Sequence, residues 1–271
     1  MRFLFIVYIL FCIQSNLISR DFEVKIYSET DAGITEFFVD NDEYFPVTIE
    51  FEFDLKNMKS TLGAHFTVVV PAKTMKHVVT KLTVDDAKKV YGYKVKTGLT
   101  MGDINASVDM GFVYELPYQV GSTYKVFQGY NGKITHKGEN ALDFSMAVGD
   151  VITASRDGIV VEVVQKNSRT CFDPECVKYN NFILILHSDG SFAEYTHIMK
   201  DGSLVQAGDT IAIGEQIGYS GKVGYASGPH LHFEVYVPSK RGKKTLKTLF
   251  RTENETSELL VEGKSYIRIK N

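Results

Sequence analysis

The segment GPHLHFEVY, residues 228 to 236, sets two histidines one residue apart in an apolar, β-branched and aromatic run. Histidine fills a strand core poorly, so the pair must face something. In a strand, residues i and i+2 share a face, about 6.5–7 Å apart, which puts the imidazoles of His230 and His232 side by side. Such a pair begins a metal site or decorates a solvated face. Two further stretches add matching donors. THKGENALDFSM places His136 at the head of a loop and Asp143 where an apolar strand begins, and FAEYTHIM places His197 at the end of another strand, after Tyr195. Four of the seven histidines and one carboxylate thus fall in the second half of the chain, each beside a Gly-rich turn.

Imidazole nitrogen and carboxylate oxygen are suitable zinc ligands, and three protein ligands with an open position for water form the pattern of a catalytic zinc site. Spacing alone leaves open which three of these residues bind, and Glu139, inside the loop, is an alternative ligand. Bound zinc polarises a carbonyl and lowers the pKa of its water towards about 7. Amide hydrolysis also needs a base for the water proton and an acid for the leaving amine. No HExxH helix supplies a glutamate base. Histidines left over from coordination can serve, since an unperturbed imidazole titrates near about 6.5.

These donors need a scaffold, and the scaffold reads as strands. Between residues 21 and 120, FEVKIYSE, FPVTIEFEFDL, AHFTVVVPA, KVYGYKVKTG and MGFVYELPY alternate or cluster Val, Ile, Phe and Tyr. Turn residues separate them: Asp40-Asn41-Asp42, Asn57, Pro71 and Gly102-Asp103. Short strands at these intervals suggest a β-sandwich-like accessory domain, immunoglobulin-like in character, with TVDDAKKVY as a helical turn. His65 and His77 read as structural or surface residues. ELPYQVGSTYKVFQGYNG, residues 115 to 132, reads as the connection to a second unit, which is strand-rich again in DVITA, GIVVEVVQK, NFILILHS, SFAEYTHI, TIAIGEQIGYS and HLHFEVYVP. VGDVITA and AGDTIAI echo one another as Gly-Asp turns entering strands. No segment has the pattern of a long amphipathic helix. The expected divisions are residues 1–19 as a signal peptide, 20–121 as the accessory domain, 122–240 as the unit carrying the histidines, and 241–271 as C-terminal strands and tail.

The bulk properties fit this plan. A chain of 271 residues with 44% hydrophobic and 23% charged residues has room for packed cores. A formal charge of −3 leaves no basic excess to neutralise phosphates, which argues against nucleic acid. MRFLFIVYILFCI has one basic residue and then an apolar run from Phe3 to Ile13, the length of a signal-peptide core and too short for a stable transmembrane helix. A retained anchor and lipidation at Cys12 are the alternatives, the second opposed by Phe11 before it. The chain is therefore expected to be exported, to the periplasm or cell envelope, or secreted. In an oxidising compartment Cys171 and Cys176 of CFDPEC most simply form a loop-closing disulfide; a metal pair would need a second pair at finger-like spacing.

HKGENALDFSMAVGDVITASRDGIV, SDGSFAEYTHI and GYSGKVGYASGPHLHFEV, in this order, resemble the lysostaphin/LytM-type zinc endopeptidases of bacterial cell walls over residues from about 125 to 240. The resemblance implies an all-β chain whose second domain is a compact antiparallel sheet of the duplicated-hybrid-motif kind, with a groove across it and one Zn2+ at its floor. It implies His136, Asp143 and His232 as metal ligands, His230 as base or proton shuttle, and His197 as the residue that holds the water or stabilises the oxyanion. It implies hydrolysis of peptide bonds in peptidoglycan, with the accessory domain meeting envelope proteins. Many relatives have a shorter step from His to Asp; GENAL lengthens it here. Glu234 reads as an acceptor orienting an imidazole or as a solvated strand residue, Tyr195 as cleft lining or strand packing, and His187 as structural. CFDPEC would form one wall of the groove. The competing functions are a non-catalytic activator of another wall hydrolase with the same fold, which would lose ligands, and a lipoyl- or biotin-type carrier, which would have no use for the histidines.

Overall fold

The computed structural model describes residues 22–240, 242–253 and 257–270, so the expected signal segment lies outside the described residues. The described residues fold into two compact units, the first formed by 22–104 with 238–240 and 242, the second by 105–237 with the rest of the C-terminal part.

Alternation builds the first unit. In the strand Val47–Lys56, Ile49, Phe51 and Phe53 are buried while Glu50, Glu52 and Asp54 point to solvent, the period-two pattern of a strand with one dry face. That strand is central between His65–Val70 and Gly92–Met101. A second sheet runs in the order Val24–Asp31, Ile34–Asn41, Thr74–Val84, Met58–Ser60. Phe37 of this sheet meets Phe51, Phe53 and Tyr93 of the other edge-on, at centroid distances of 6.5, 5.0 and 5.5 Å. Two sheets sharing an aromatic core make the expected sandwich. The expected helical turn at TVDDAKKVY is instead a single tight turn, closed by the Lys89 N–H donating to the Asp86 carbonyl, while the Asp86 carboxylate accepts the Lys88 N–H.

The second unit is also β. Its large antiparallel sheet runs Thr210–Ile211, Gly158–Val164, Phe182–Leu186, Phe192–Thr196, Leu231–Ser239, Ala141–Phe144, Thr123–Gln128, Ser265–Ile267, and Gly242–Leu246 also pairs with Leu231–Ser239. A smaller sheet joins Val151–Thr153, Gln216–Ser220 and Ile198–Ser203. Leu142, Phe144, Ile183, Ile185, Phe233 and Val235 of the large sheet share one apolar core with Ile152, Ile198 and Ile217 of the small one. Residues read as connector and tail enter the same core. Tyr114, Leu116 and Tyr118 pack there with Phe250, Leu260 and Tyr266, and the Tyr118 hydroxyl donates to the Tyr266 carbonyl. The only helix among the described residues is the 3-10 turn Pro174–Tyr179, capped by the Asp173 side chain. No described helix is long and apolar enough to cross a membrane.

The two Gly-Asp echoes have one physical origin. In each, a glycine with positive φ (Gly149 at 92°, Gly208 at 98°) sits third in a turn, a conformation that side chains resist. The aspartate that follows reaches back: Asp150 accepts from the Ala147 N–H and Asp209 from the Gln206 N–H. The strands that leave these turns enter different sheets.

His187 is a packed core residue, as its place before a turn suggests. Its Nδ1–H donates to the Asp157 carbonyl at 2.7 Å, its ring meets Tyr114 edge-on, and Nε2 has no partner. Burial, with help from the nearby Arg156 cation, lowers its pKa from 6.5 to about 4, while the Asp157 hydrogen bond opposes the shift. The fold thus favours the neutral ring. Between these two values the unfolded chain takes up a proton that the folded chain refuses, so stability falls as pH drops through this window. The full effect is about 3 kcal/mol. Urea unfolding midpoints measured from pH 7 to pH 4 should fall less steeply in His187→Gln than in the parent; equal slopes would remove His187 as a cause.

Candidate metal centre

Register brings the donors together. Asp143 lies directly across from His232 in the antiparallel pair formed by Ala141–Phe144 and Leu231–Ser239. On the other side Asp143 faces Gln128, and beyond His232 lies Thr196. Gln128, Asp143, His232 and Thr196 therefore form a row across adjacent strands, and side chains in such a row share a face. His136 arrives from the loop that follows the Thr123–Gln128 strand. Its ring stands 5.0 Å from that of His232.

The donor atoms are close. His136 Nε2 lies 3.2 Å from Asp143 Oδ2 and 3.2 Å from His232 Nδ1, and His232 Nδ1 lies 3.0 Å from Asp143 Oδ1. Ligands of a tetrahedral zinc ion with bonds near 2.0–2.1 Å stand about 3.3 Å apart. The three residues thus offer donor atoms at the separation a small cation requires, and His136 and Asp143 are buried. His136 Nδ1–H donates to the Gly129 carbonyl, which aims Nε2 at Asp143 and His232. Two imidazole nitrogens and a carboxylate converge with shared protons between them, and a cation would take the place of those protons. The donor set fits zinc.

His230 and His197 stand beside this trio. Their rings are 4.4 Å apart, and His230 Nε2 is 3.7 Å from Asp143 Oδ1. The Nδ1–H of His230 donates to the Gly228 carbonyl and that of His197 to the Val223 carbonyl, so both present Nε2 as an acceptor. Phe127 packs edge-on against His230. His197 reaches its place by an unusual backbone: it follows the strand end at Thr196 with φ 70°, in the left-handed region. Its N–H and that of Ile198 both donate to the Asn181 carbonyl, which holds the kink. Gly221 abuts this kink so closely that a Cβ would lie 2.7 Å from the Met199 backbone and 2.9 Å from the His197 carbonyl. A side chain there would displace the turn.

Electrostatics follow from burial and pairing. Burial alone would raise the Asp143 pKa, but hydrogen bonds with His136 and His232 and the attraction of their rings hold it far below the usual carboxylate range. Burial, then the neighbouring His230 and His232 rings, push His197 down to about 3. Burial also lowers His230, against the pull of Asp143. His232 is raised, because its bond with Asp143 outweighs burial.

Several residues read as ambiguous now have places. Glu234 is buried, not solvated; its carboxylate lies 4.0 Å from His232 Nε2 and pairs with Lys243, which also faces Glu194 at 3.8 Å. Tyr195 is wholly inside the core, its hydroxyl accepting from the Ser155 N–H, and lines no cleft. Glu139 is half-buried, and it is not part of the donor trio. Cys171 and Cys176 form a disulfide with Cα atoms 6.0 Å apart. Thr170–Cys171 pairs in parallel with Gly224–Tyr225, next to the Val223 carbonyl that holds His197. Gln128 went unnoticed in the sequence. Its Nε2 donates to Asp143 Oδ2 and to Thr135 Oγ1, while its Oε1 accepts from the Ile134 and Thr135 N–H groups. One amide thus fixes one candidate donor and the loop carrying another. A glutamine in the connector run carries no motif; only the register reveals it.

Residues 137–245 match the family model described as Peptidase family M23, and all but 238–242 of that stretch lie in the second unit. The match begins one residue after His136 and contains Asp143, His197, His230 and His232. An uncharacterized metalloprotease of Buchnera aphidicola subsp. Baizongia pistaciae is 30% identical over 169 residues, 60% of this chain and 41% of that protein. The peptidoglycan DD-endopeptidase ShyA of Vibrio cholerae is 29% identical over 126 residues, 44% of this chain and 26% of that protein. The catalytic domain of the antimicrobial peptidase lysostaphin from Staphylococcus simulans is 26% identical, covering 51% of this chain and 87% of that one with a TM-score of 0.33. The chain thus spans less than half the length of these two curated relatives.

Removing the Gln128 amide frees the Asp143 carboxylate and the His136 loop together. Gln128→Ala should bind zinc about 10–100-fold more weakly than the parent in competition with a chromophoric chelator. Unchanged affinity would show that Gln128 does not orient the donors.

Proposed function

We propose that the M23 domain is a working zinc endopeptidase, cutting peptide bonds in the stem peptides or cross-links of peptidoglycan. The observation that carries this is the convergence of His136, Asp143 and His232 as one donor set, with His230 and His197 beside it offering free Nε2 atoms. His136, Asp143 and His232 would hold one zinc per chain, and a zinc ion there supplies a Lewis acid that polarises the scissile carbonyl and acidifies water. The peptidoglycan substrate is inferred from relatives such as the DD-endopeptidase ShyA.

The other residues act on protons and position. His230, fixed by the Gly228 carbonyl, presents a neutral Nε2 towards the donor set, where it can take a proton from the attacking water. The same atom can then deliver that proton to the departing amine. His197 stays neutral near pH 7, with its single N–H spent on the Val223 carbonyl. Its Nε2 can therefore accept but not donate, which suits holding a water better than bonding an oxyanion. Glu234 faces the far nitrogen of His232, and Lys243 keeps that carboxylate compensated.

The surrounding organisation is part of the same proposal. A signal peptide at 1–19 would export the chain to the periplasm, the cell envelope or the medium. The accessory domain, 20–121 by sequence, would meet wall or envelope partners, and the peptidase domain, 122–240, would draw core residues from both flanks.

The decisive assay is zinc content per chain on purified residues 20–271, followed by digestion of purified peptidoglycan. The parent should hold about one zinc and release peptide fragments. His136→Ala/His232→Ala should lose both metal and activity. His230→Ala should keep the metal and lose about 10²–10⁴-fold in turnover. A folded parent that takes up no zinc and releases no fragments would overturn the proposal, and a His230→Ala chain with full turnover would remove the base.

A further inference from the structure

A second polar site lies away from the histidines. An open pocket of about 420 Å³ is lined by Gln119, Val120, Thr153, Gly214, Gln216 and Arg268. Arg268 is buried, a costly position for a cation. Its Nη1 donates to the Tyr118 carbonyl and to Thr153 Oγ1, both at 2.6 Å, and its Nε has no hydrogen-bond partner. The backbone pins it beside the Gln119 turn: Arg268 accepts from the Gly121 N–H and donates to the Ser122 carbonyl.

Among the described residues Arg268 has no carboxylate to itself. Glu115 is the carboxylate it faces, with Oε2 at 4.0 Å, and Arg251 Nε lies 3.0 Å from the other oxygen of the same carboxylate. Two guanidiniums thus share one carboxylate, and Arg268 holds the more distant place. Access to it is kept open by Gly214, the glycine of a third turn like those at Gly149 and Gly208. Glu215 reaches back to the Ala212 N–H, and Gly214 has φ 83°. A Cβ on Gly214 would sit 2.8 Å from Arg268 Nη2. The glycine therefore leaves free the space in which a ligand atom would meet that nitrogen.

We propose that this pocket binds a small organic carboxylate, with Arg268 Nη2 as the charged donor and the Gln119 and Gln216 amides at its rim. A guanidinium that only shares a distant carboxylate suits a monoanion, and the pocket has room for an organic tail beyond the carboxylate. A phosphate dianion would bring a second negative charge that one guanidinium does not offset. The site uses none of the donors of the metal centre, so it stands independently of the peptidase proposal.

The test is calorimetric titration of the full chain with N-acetyl-alanine, N-acetyl-alaninamide and inorganic phosphate. Excess 1,10-phenanthroline, a chelator without carboxylates, keeps a metal-bound carboxylate from being mistaken for this site. The acid should bind saturably and the amide at least about tenfold more weakly, because a charge-assisted hydrogen bond is lost. Gly214→Ala should weaken the acid by blocking Nη2. Gln216→Glu, which leaves the hydrogen bonds of Arg268 intact, should weaken it about tenfold through like charge. Absence of binding, equal binding of acid and amide, tighter binding of phosphate, or indifference to both substitutions would each overturn the proposal.

Discussion

A buried carboxylate is the constraint from which the second unit is organised. Asp143 sits inside the sheet, and an isolated charge there would cost several kcal/mol. Three neighbours on separate segments offset it: His136 on the loop, His232 across the strand pair, and Gln128 on the next strand. Two of them are in turn tied down, His136 by the Gly129 carbonyl and Gln128 by two backbone N–H groups. The protein meets the cost of one anion by fixing three elements against each other, and the same fixing sets the donor separations.

The histidines outside the trio depend on backbone instead of register. His197 stands in a left-handed conformation, which costs a non-glycine residue energy. It persists because Asn181 accepts two N–H groups from the kink and Gly221 lets the neighbouring loop lie against it. The disulfide-closed loop at 171–176 pairs with Gly224–Tyr225, so the carbonyl that orients His197 is held from outside as well. A second, covalently braced set of contacts thus keeps the acceptors where the donors need them.

Much of this was legible from residue pattern. Alternation in FPVTIEFEFDL marks a strand with one dry face, and the spacing of H-x-H places His230 and His232 together because side chains repeat every two residues. The ordered motifs carried the family. What the pattern hid has a common cause: it depends on which strands become neighbours. Gln128 matters only because it lands opposite Asp143, and Glu234 is buried only because Gly242–Leu246 folds back to deliver Lys243. Tyr195 looked like a companion to His197 because strand geometry was carried one residue too far; the positive φ after Thr196 breaks the alternation. The run 115–132 reads as the connection to a second unit because Pro117 and its glycines signal turns, yet Leu116 and Tyr118 still find the core.

The pairing of Asp143 with His232 joins residues 89 positions apart. Contacts of such separation require a large part of the chain to close on itself first, and they form late in folding. An unfolded chain has only neighbouring histidines to offer an ion, which bind it weakly compared with the assembled set. Metal capture by this set would therefore be coupled to completion of the fold: an unfolded chain would stay chemically silent, and an ion, once taken, would stabilise the state that binds it.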